Sequence, residues 1–165
     1  MEKLFSRGLF ALYVSILIWL VLFKLTFHFS SILDKHARSL NLLPFAAPSM
    51  VEGRINYGEM VMNCVFFIPF GLLLEVNFKK PGFLTKLAII LAFSLSVELI
   101  QYLFAIGATD ITDLIMNGFG GLLGLAFYAL GNMFINSNIL DRIVITLGAL
   151  LFVFFVSMRL RPIIV

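Results

Sequence analysis

Six side chains in this 165-residue sequence could do chemistry in a place where polarity is costly: Asn63, Glu98, Gln101, Asp110, Asp113 and Asn117 all lie in or beside long apolar stretches. Ser94, Glu98 and Gln101 are spaced i, i+4, i+7 and therefore share one helical face. Glu98 lies about six residues from the end of its stretch, roughly 9 Å deep at ~1.5 Å per residue. An ionised carboxylate at that depth costs several kcal/mol unless it is paired, hydrated or neutralised, which makes an intramembrane glutamate rare without a use.

The following apolar stretch opens with Asp110-Ile111-Thr112-Asp113-Leu114-Ile115-Met116-Asn117. Asp110, Asp113, Asn117, Gly121 and Gly124 form one stripe at helical spacing. Asp110 is a natural N-cap and Asp113 suits the positive start of a helix. Capping does not account for Asn117, which lies roughly 10 Å further along the same face, at a depth matching Glu98 on an antiparallel neighbour. Asn63 sits a turn or so inside its own stretch, and burying its amide without partners would cost a few kcal/mol. The economical arrangement places all six residues around one outward-opening polar pocket.

Three kinds of chemistry fit such a pocket. In the first it is a non-catalytic binding site for a ligand with a polar headgroup. In the second, an intramembrane enzyme acts on a lipid or glycan, with Glu98 as general base and Asp110 with Asp113 as a divalent-metal or second acid–base pair. In the third, Glu98 titrates in a proton-coupled transporter or flippase; a chain this short would then need to form a homo-oligomer, and no internal repeat is visible. No nucleophile elbow, phosphate loop or His/Cys ligand set accompanies the carboxylates, so neither a cofactor nor a metal is expected. Cys64 is alone, and His28 and His36 have no third partner nearby.

The elements that must position these residues are membrane helices. Hydrophobic residues make up 61% of the chain and charged residues 13%, with a mean hydropathy of +1.06. A soluble domain carries nearly twice that charge, so the composition belongs to a chain dissolved in lipid. The expected fold is an all-α integral membrane bundle of about five helices, over residues 8–29, 58–76, 83–104, 110–132 and 140–158, in a single domain covering 1–165. The first apolar stretch is too long for a cleaved signal segment, and no small-x-small site follows it. Pro69 and Gly71 predict a kink in the second helix. Between helices one and two, the apolar run Leu42–Pro48 is too short to span and is expected to be interfacial or re-entrant. Gly120 and Gly124 form a GxxxG spacing that allows close helix packing.

Basic residues flank the apolar stretches rather than forming a run with interleaved aromatics, which argues against nucleic acid as a partner. Lys3, Arg7, Lys79, Lys80, Lys86 and Arg142 crowd short segments on one side; the other side also has six, but Lys24, Lys35, Arg38 and Arg54 are spread along a long connection and Arg159 and Arg161 lie in the tail. This density predicts a cytoplasmic N-terminus and a pocket facing outward.

At these residues the chain resembles the VanZ-like family of small bacterial membrane proteins. The resemblance rests on an ordered set of motifs: Asn41-Leu42-Leu43-Pro44-Phe45, Asn63-Cys64-Val65-Phe66-Phe67-Ile68-Pro69-Phe70-Gly71, Glu98-Leu99-Ile100-Gln101, the Asp110–Asn117 segment and Gly120-Gly121-Leu122-Leu123-Gly124. It covers residues 9 to 130. Some members carry an arginine just before the Asp-x-x-Asp segment; here Gly107-Ala108-Thr109 stands instead, so the resemblance brings no arginine-based phosphate contact to this chain. It implies a bacterial multi-pass cell-membrane protein of the envelope, because the family's namesake is associated with resistance to the glycopeptide teicoplanin. The implied partners are membrane lipids and either a lipid-linked cell-wall precursor or the glycopeptide itself, with Lys35, Arg38 and Arg54 available to anionic headgroups.

Overall fold

The structure, a computed structural model, describes residues 2–22, 39–45, 49–51, 54–106 and 108–164. It contains five helices among the described residues: α1 (Glu2–Leu22), α2 (Gly58–Asn77), α3 (Phe83–Phe104), α4 (Ile111–Phe134) and α5 (Ser137–Ile164). The first four are long and apolar enough to cross a membrane. Many of their large apolar side chains point outward, among them Leu95, Leu99, Phe119, Phe127 and Leu130. In water this surface would drive aggregation; against acyl chains it is the expected exterior. The molecule is an all-α membrane protein.

Helix ends differ from the sequence expectation in an instructive way. α1 starts at Glu2 and α5 runs on to Ile164, both beyond the apolar stretches. Hydropathy marks where lipid is, whereas Lys, Arg and Glu are good helix formers and extend the helices past it. The expected continuation of helix one through residues 23–29, together with Lys24, His28, Lys35, His36 and Arg38, lies outside the described residues. α2 continues through Pro69, and beside the proline the Phe66 carbonyl accepts the Tyr13 hydroxyl at 2.5 Å.

Short strands occur where hydropathy predicted only an irregular connection. β1 (Ser39–Asn41) pairs in parallel with β4 (Ala108–Asp110), in register Ser39↔Ala108, Leu40↔Thr109 and Asn41↔Asp110. β2 (Ser49–Val51) and β3 (Arg54–Asn56) form a small antiparallel hairpin. Three-residue strands carry almost no alternation signal, so the sequence cannot announce them.

Two ends of the bundle follow from its contacts. At the amino-terminal end Ser6 meets Asn77, and Lys79 meets Asp141. At the far end Gln101 meets the Val21 carbonyl, and the start of α4 meets Glu98. Between them Phe67, Phe70, Leu74, Ile90, Val97 and Leu125 form the core with Leu17 and Val21, and Phe70 stacks on Phe10.

The glycines set how closely the helices approach. A Cβ on Gly120 would stand 2.0 Å from the Cys64 carbonyl oxygen, and one on Gly124 would stand 2.2 Å from that of Ile68. The GxxxG spacing thus lets α4 lie backbone-to-backbone along α2, the two helices running parallel. In lipid, where apolar contact alone favours no partner, such close packing is a principal source of association.

Candidate functional site

The far end gathers the polar residues of the bundle. α3 ends there because Ala105 adopts a left-handed conformation (φ 52°), and the Ile106 amide bonds back to the Gln101 carbonyl. A short return through β4 then delivers the chain to the start of α4. Asp110 is the N-cap of α4: its Oδ1 accepts from the Thr112 amide at 2.8 Å. The same carboxylate accepts the Asn41 side-chain amide on Oδ2 at 3.1 Å, which ties α4 to the segment before α2. Asp113, buried one turn further in, accepts from the Asn63 amide at 2.7 Å. Asn117 is fully buried and donates to the Ser94 hydroxyl at 2.9 Å.

α3 supplies the opposing face. Glu98 is only 3% exposed, and its Oε2 accepts from the Asp110 backbone amide at 3.2 Å. The Glu98 carbonyl accepts the Thr109 hydroxyl. Gln101 is fully buried and donates to the Val21 carbonyl at 2.9 Å and to that of Leu22 at 3.4 Å, which ties α3 to α1. The remaining acceptors of Gln101 (Oε1) and Asn117 (Oδ1) are buried with no hydrogen-bond partner among the described residues.

The segment Leu42–Phe45 is held over this end. Asn41 Oδ1 accepts from the Leu43 amide, closing a local Asx turn, and the Phe45 amide donates to the Thr112 hydroxyl at 3.1 Å. Phe45 has φ 59°, a conformation that a bulky residue adopts only when its surroundings hold it there. Leu42, Leu43 and Phe45 leave their side chains exposed beside the start of α4. Residues 46–48, the rest of this apolar run, lie outside the described residues.

The six residues singled out from spacing therefore share one end but fall into adjacent pairs rather than a ring: Asn63 with Asp113, Glu98 with the Asp110 amide, Asn117 with Ser94, and Gln101 with the Val21 carbonyl. Asp110 and Asp113, three apart on one helix, turn to different partners, Asn41 and Asn63. Asn41, Ser94, Thr109 and Thr112 belong to the same network, and Asn41, Thr109 and Thr112 were not expected in it. Ser94 was visible through its spacing to Glu98. Asn41 is 69 residues from Asp110 in sequence, so only the β1–β4 pairing brings them together. Among the described residues, no three His, Cys, Asp or Glu side chains converge in a metal-holding arrangement.

Comparison with known proteins points in one direction. The sequence profile of the VanZ/LLP1 family matches residues 10–135. The chain is 54% identical over 159 residues to Protein VanZ of Enterococcus faecium, an alignment covering 96% of this chain and 95% of that protein. No solved structure matches the chain.

Proposed function

Because the chain belongs to the VanZ/LLP1 family, we propose that it lowers bacterial susceptibility to glycopeptide and lipoglycopeptide antibiotics by engaging a lipid-linked cell-wall component at the far end of the bundle. In this reading the N-terminus is cytoplasmic, in keeping with Lys3 and Arg7 ahead of the first span, and the polar end opens at the outer face of the cell membrane. The observation that carries the proposal is the burial of Glu98, Gln101, Asp113 and Asn117 together at one end of helices whose exteriors are apolar. Four such side chains are far more than helix association requires, since interhelical hydrogen bonds in membranes contribute only about 0.6 to 2 kcal/mol each. A cluster of this polarity suits recognition of a polar headgroup.

A lipid-linked ligand fits the surroundings. Its headgroup would meet the cluster, while its chain would run along exposed apolar surface such as Leu99, Leu103 and Phe104. The held segment with Leu42, Leu43 and Phe45 would lie against the interface beside it. The donors and acceptors suited to a headgroup are the amides and carboxylates, with the unused Gln101 and Asn117 acceptors among them.

The test has two readouts. Wild type, Glu98→Gln and Asn117→Leu are expressed at matched membrane levels in a susceptible Gram-positive host. Susceptibility to teicoplanin and a lipoglycopeptide is measured, and the purified proteins are used to retain lipid-linked precursor from membrane extracts. Wild type should lower susceptibility and retain precursor, and both variants should lose both properties while remaining monodisperse in detergent. Unchanged susceptibility to every lipid-directed glycopeptide on expression of wild type would overturn the proposal.

A further inference from the structure

The amino-terminal end holds a cavity of about 690 Å³ that the polar cluster does not explain. Its volume is that of a small-ligand site. The lining comes from the start of α1, the end of α2 with the turn after it, and the first turns of α5, and its charged members are Lys3, Arg7, Lys79, Asp141 and Arg142. Four cations thus face one carboxylate. That carboxylate is engaged in the cavity wall: Asp141 Oδ1 accepts from Lys79 Nζ at 2.6 Å and from the Tyr128 hydroxyl at 2.6 Å. Lys79 also lies over the Tyr128 ring, 4.4 Å from its centre. Lys3 and Arg7 have no carboxylate partner and no hydrogen bond among the described residues.

We infer that this cavity binds the phosphate-bearing headgroup of an anionic membrane lipid. Basic residues beside a span are ordinary topology signals when they point separately into water. Here Lys3, Arg7 and Arg142 converge from two helices on one concavity, and α1 and α5 both turn their N-terminal, positive ends towards it. Ser6, Asn77, Asn138 and Thr146 add neutral hydrogen-bonding groups suited to a glycerol or ester oxygen. Phe5 and Val76 bring apolar surface to the same lining, where the start of an acyl chain would lie. The end of a span lies at headgroup depth whichever way the bundle is oriented, so a lipid phosphate reaches this cavity without leaving the bilayer plane. The site is independent of the polar cluster at the other end and does not rest on the function proposed for that cluster.

The test uses the full-length protein in detergent, with phosphatidylglycerol, phosphatidylcholine and inorganic phosphate as probes and retained lipid read by native mass spectrometry. Wild type should retain phosphatidylglycerol in preference to phosphatidylcholine. The double variant Lys3→Gln/Arg7→Gln should weaken that retention by roughly 30-fold, as expected for two cations at about 1 kcal/mol each. Lys80→Gln, which removes an exposed charge from the same end without touching the cavity, is the matched control and should retain lipid as wild type does. Competition by millimolar inorganic phosphate alone would show a free-anion site and overturn the lipid assignment. Equal loss in the double variant and in Lys80→Gln would reduce the effect to general surface charge and overturn the site. Thermal unfolding in lipid-free detergent should be the same for all variants, because Lys3, Arg7 and Lys80 are exposed.

Discussion

The two ends of the bundle solve the same problem, polar groups at the edge of a low-dielectric slab, by different means. At the amino-terminal end charge meets charge. Lys86 is 3% exposed, and its ammonium bonds Glu75 Oε2 at 2.5 Å, while Lys79 pairs with Asp141. At the far end amides hold the carboxylates in place: Asp113 accepts from the Asn63 side chain, Glu98 from the Asp110 backbone, and Asp110 from one of each. Ion pairing compensates a buried carboxylate within the fold. The Lys86–Glu75 and Lys79–Asp141 pairs thus brace the amino-terminal end and leave Lys3 and Arg7 to the cavity beside them, while the function proposed above makes the amides and carboxylates of the far end its recognition surface.

The largest expected effect comes from breaking the buried ion pair at the amino-terminal end. Lys86→Met removes the partner of Glu75 and leaves a carboxylate largely buried without its cation. The cost should be about 3 to 5 kcal/mol, the range for removing one member of a buried pair. Thermal unfolding in a mild detergent checks it, together with Glu75→Leu/Lys86→Met, in which the pair is replaced by apolar groups. If the pair is scaffold, the double variant recovers most of the loss. A double variant as unstable as the single one would show that the ion pair has no compensating role.

A smaller loss is expected where the helices touch. Gly120→Ala places a methyl group against the Cys64 carbonyl oxygen, which is backbone and cannot swing aside. Overpacking of this kind costs about 1 to 3 kcal/mol. Gly82→Ala, with nothing near its Cβ position, is the control. The comparison sharpens if Gly120→Ala lowers the unfolding temperature without changing antibiotic susceptibility at matched protein levels, because the polar end would then tolerate strain in the scaffold.

The sequence was a good guide to one of these layers and a poor guide to the other. Helices α2, α3 and α4 were legible within one or two residues because hydropathy, Pro81-Gly82 and the Asp110 cap all speak locally. Spacing alone placed Glu98 and Asn117 at the same end of the bundle. Asn41 was hidden: it reaches Asp110 through a parallel strand pair too short to leave a pattern. The amino-terminal network was missed for a different reason. Lys79, Lys86 and Arg142 were read as topology signals, and Glu75 was passed over at the end of its helix, since which cation meets which carboxylate depends on helix rotation. Rotation is fixed by packing, such as the Gly120 and Gly124 contacts, which a single sequence gives only as a spacing.

The smallest expected effect is also the one that bears most directly on the contrast. Asp110→Asn keeps an oxygen to accept from the Thr112 amide, so the helix cap persists, but it removes the negative charge and puts an NH2 group where Oδ2 accepts the Asn41 amide. Because Asn caps as well as Asp, the change through the cap should be a few tenths of a kcal/mol, while the macrodipole contribution lost with the charge is about 0.3 to 1 kcal/mol. With the Asn41 hydrogen bond lost as well, stability should fall by about 1 to 2 kcal/mol, below Lys86→Met. If the far end is arranged for recognition, antibiotic susceptibility should nevertheless change more in Asp110→Asn than in Gly120→Ala, although the expected loss of stability in Asp110→Asn is no larger. Measuring both properties on both variants separates the two ends: a variant series in which susceptibility simply tracks unfolding temperature would make the far end scaffold as well, and the contrast would be one of chemistry without a difference in role.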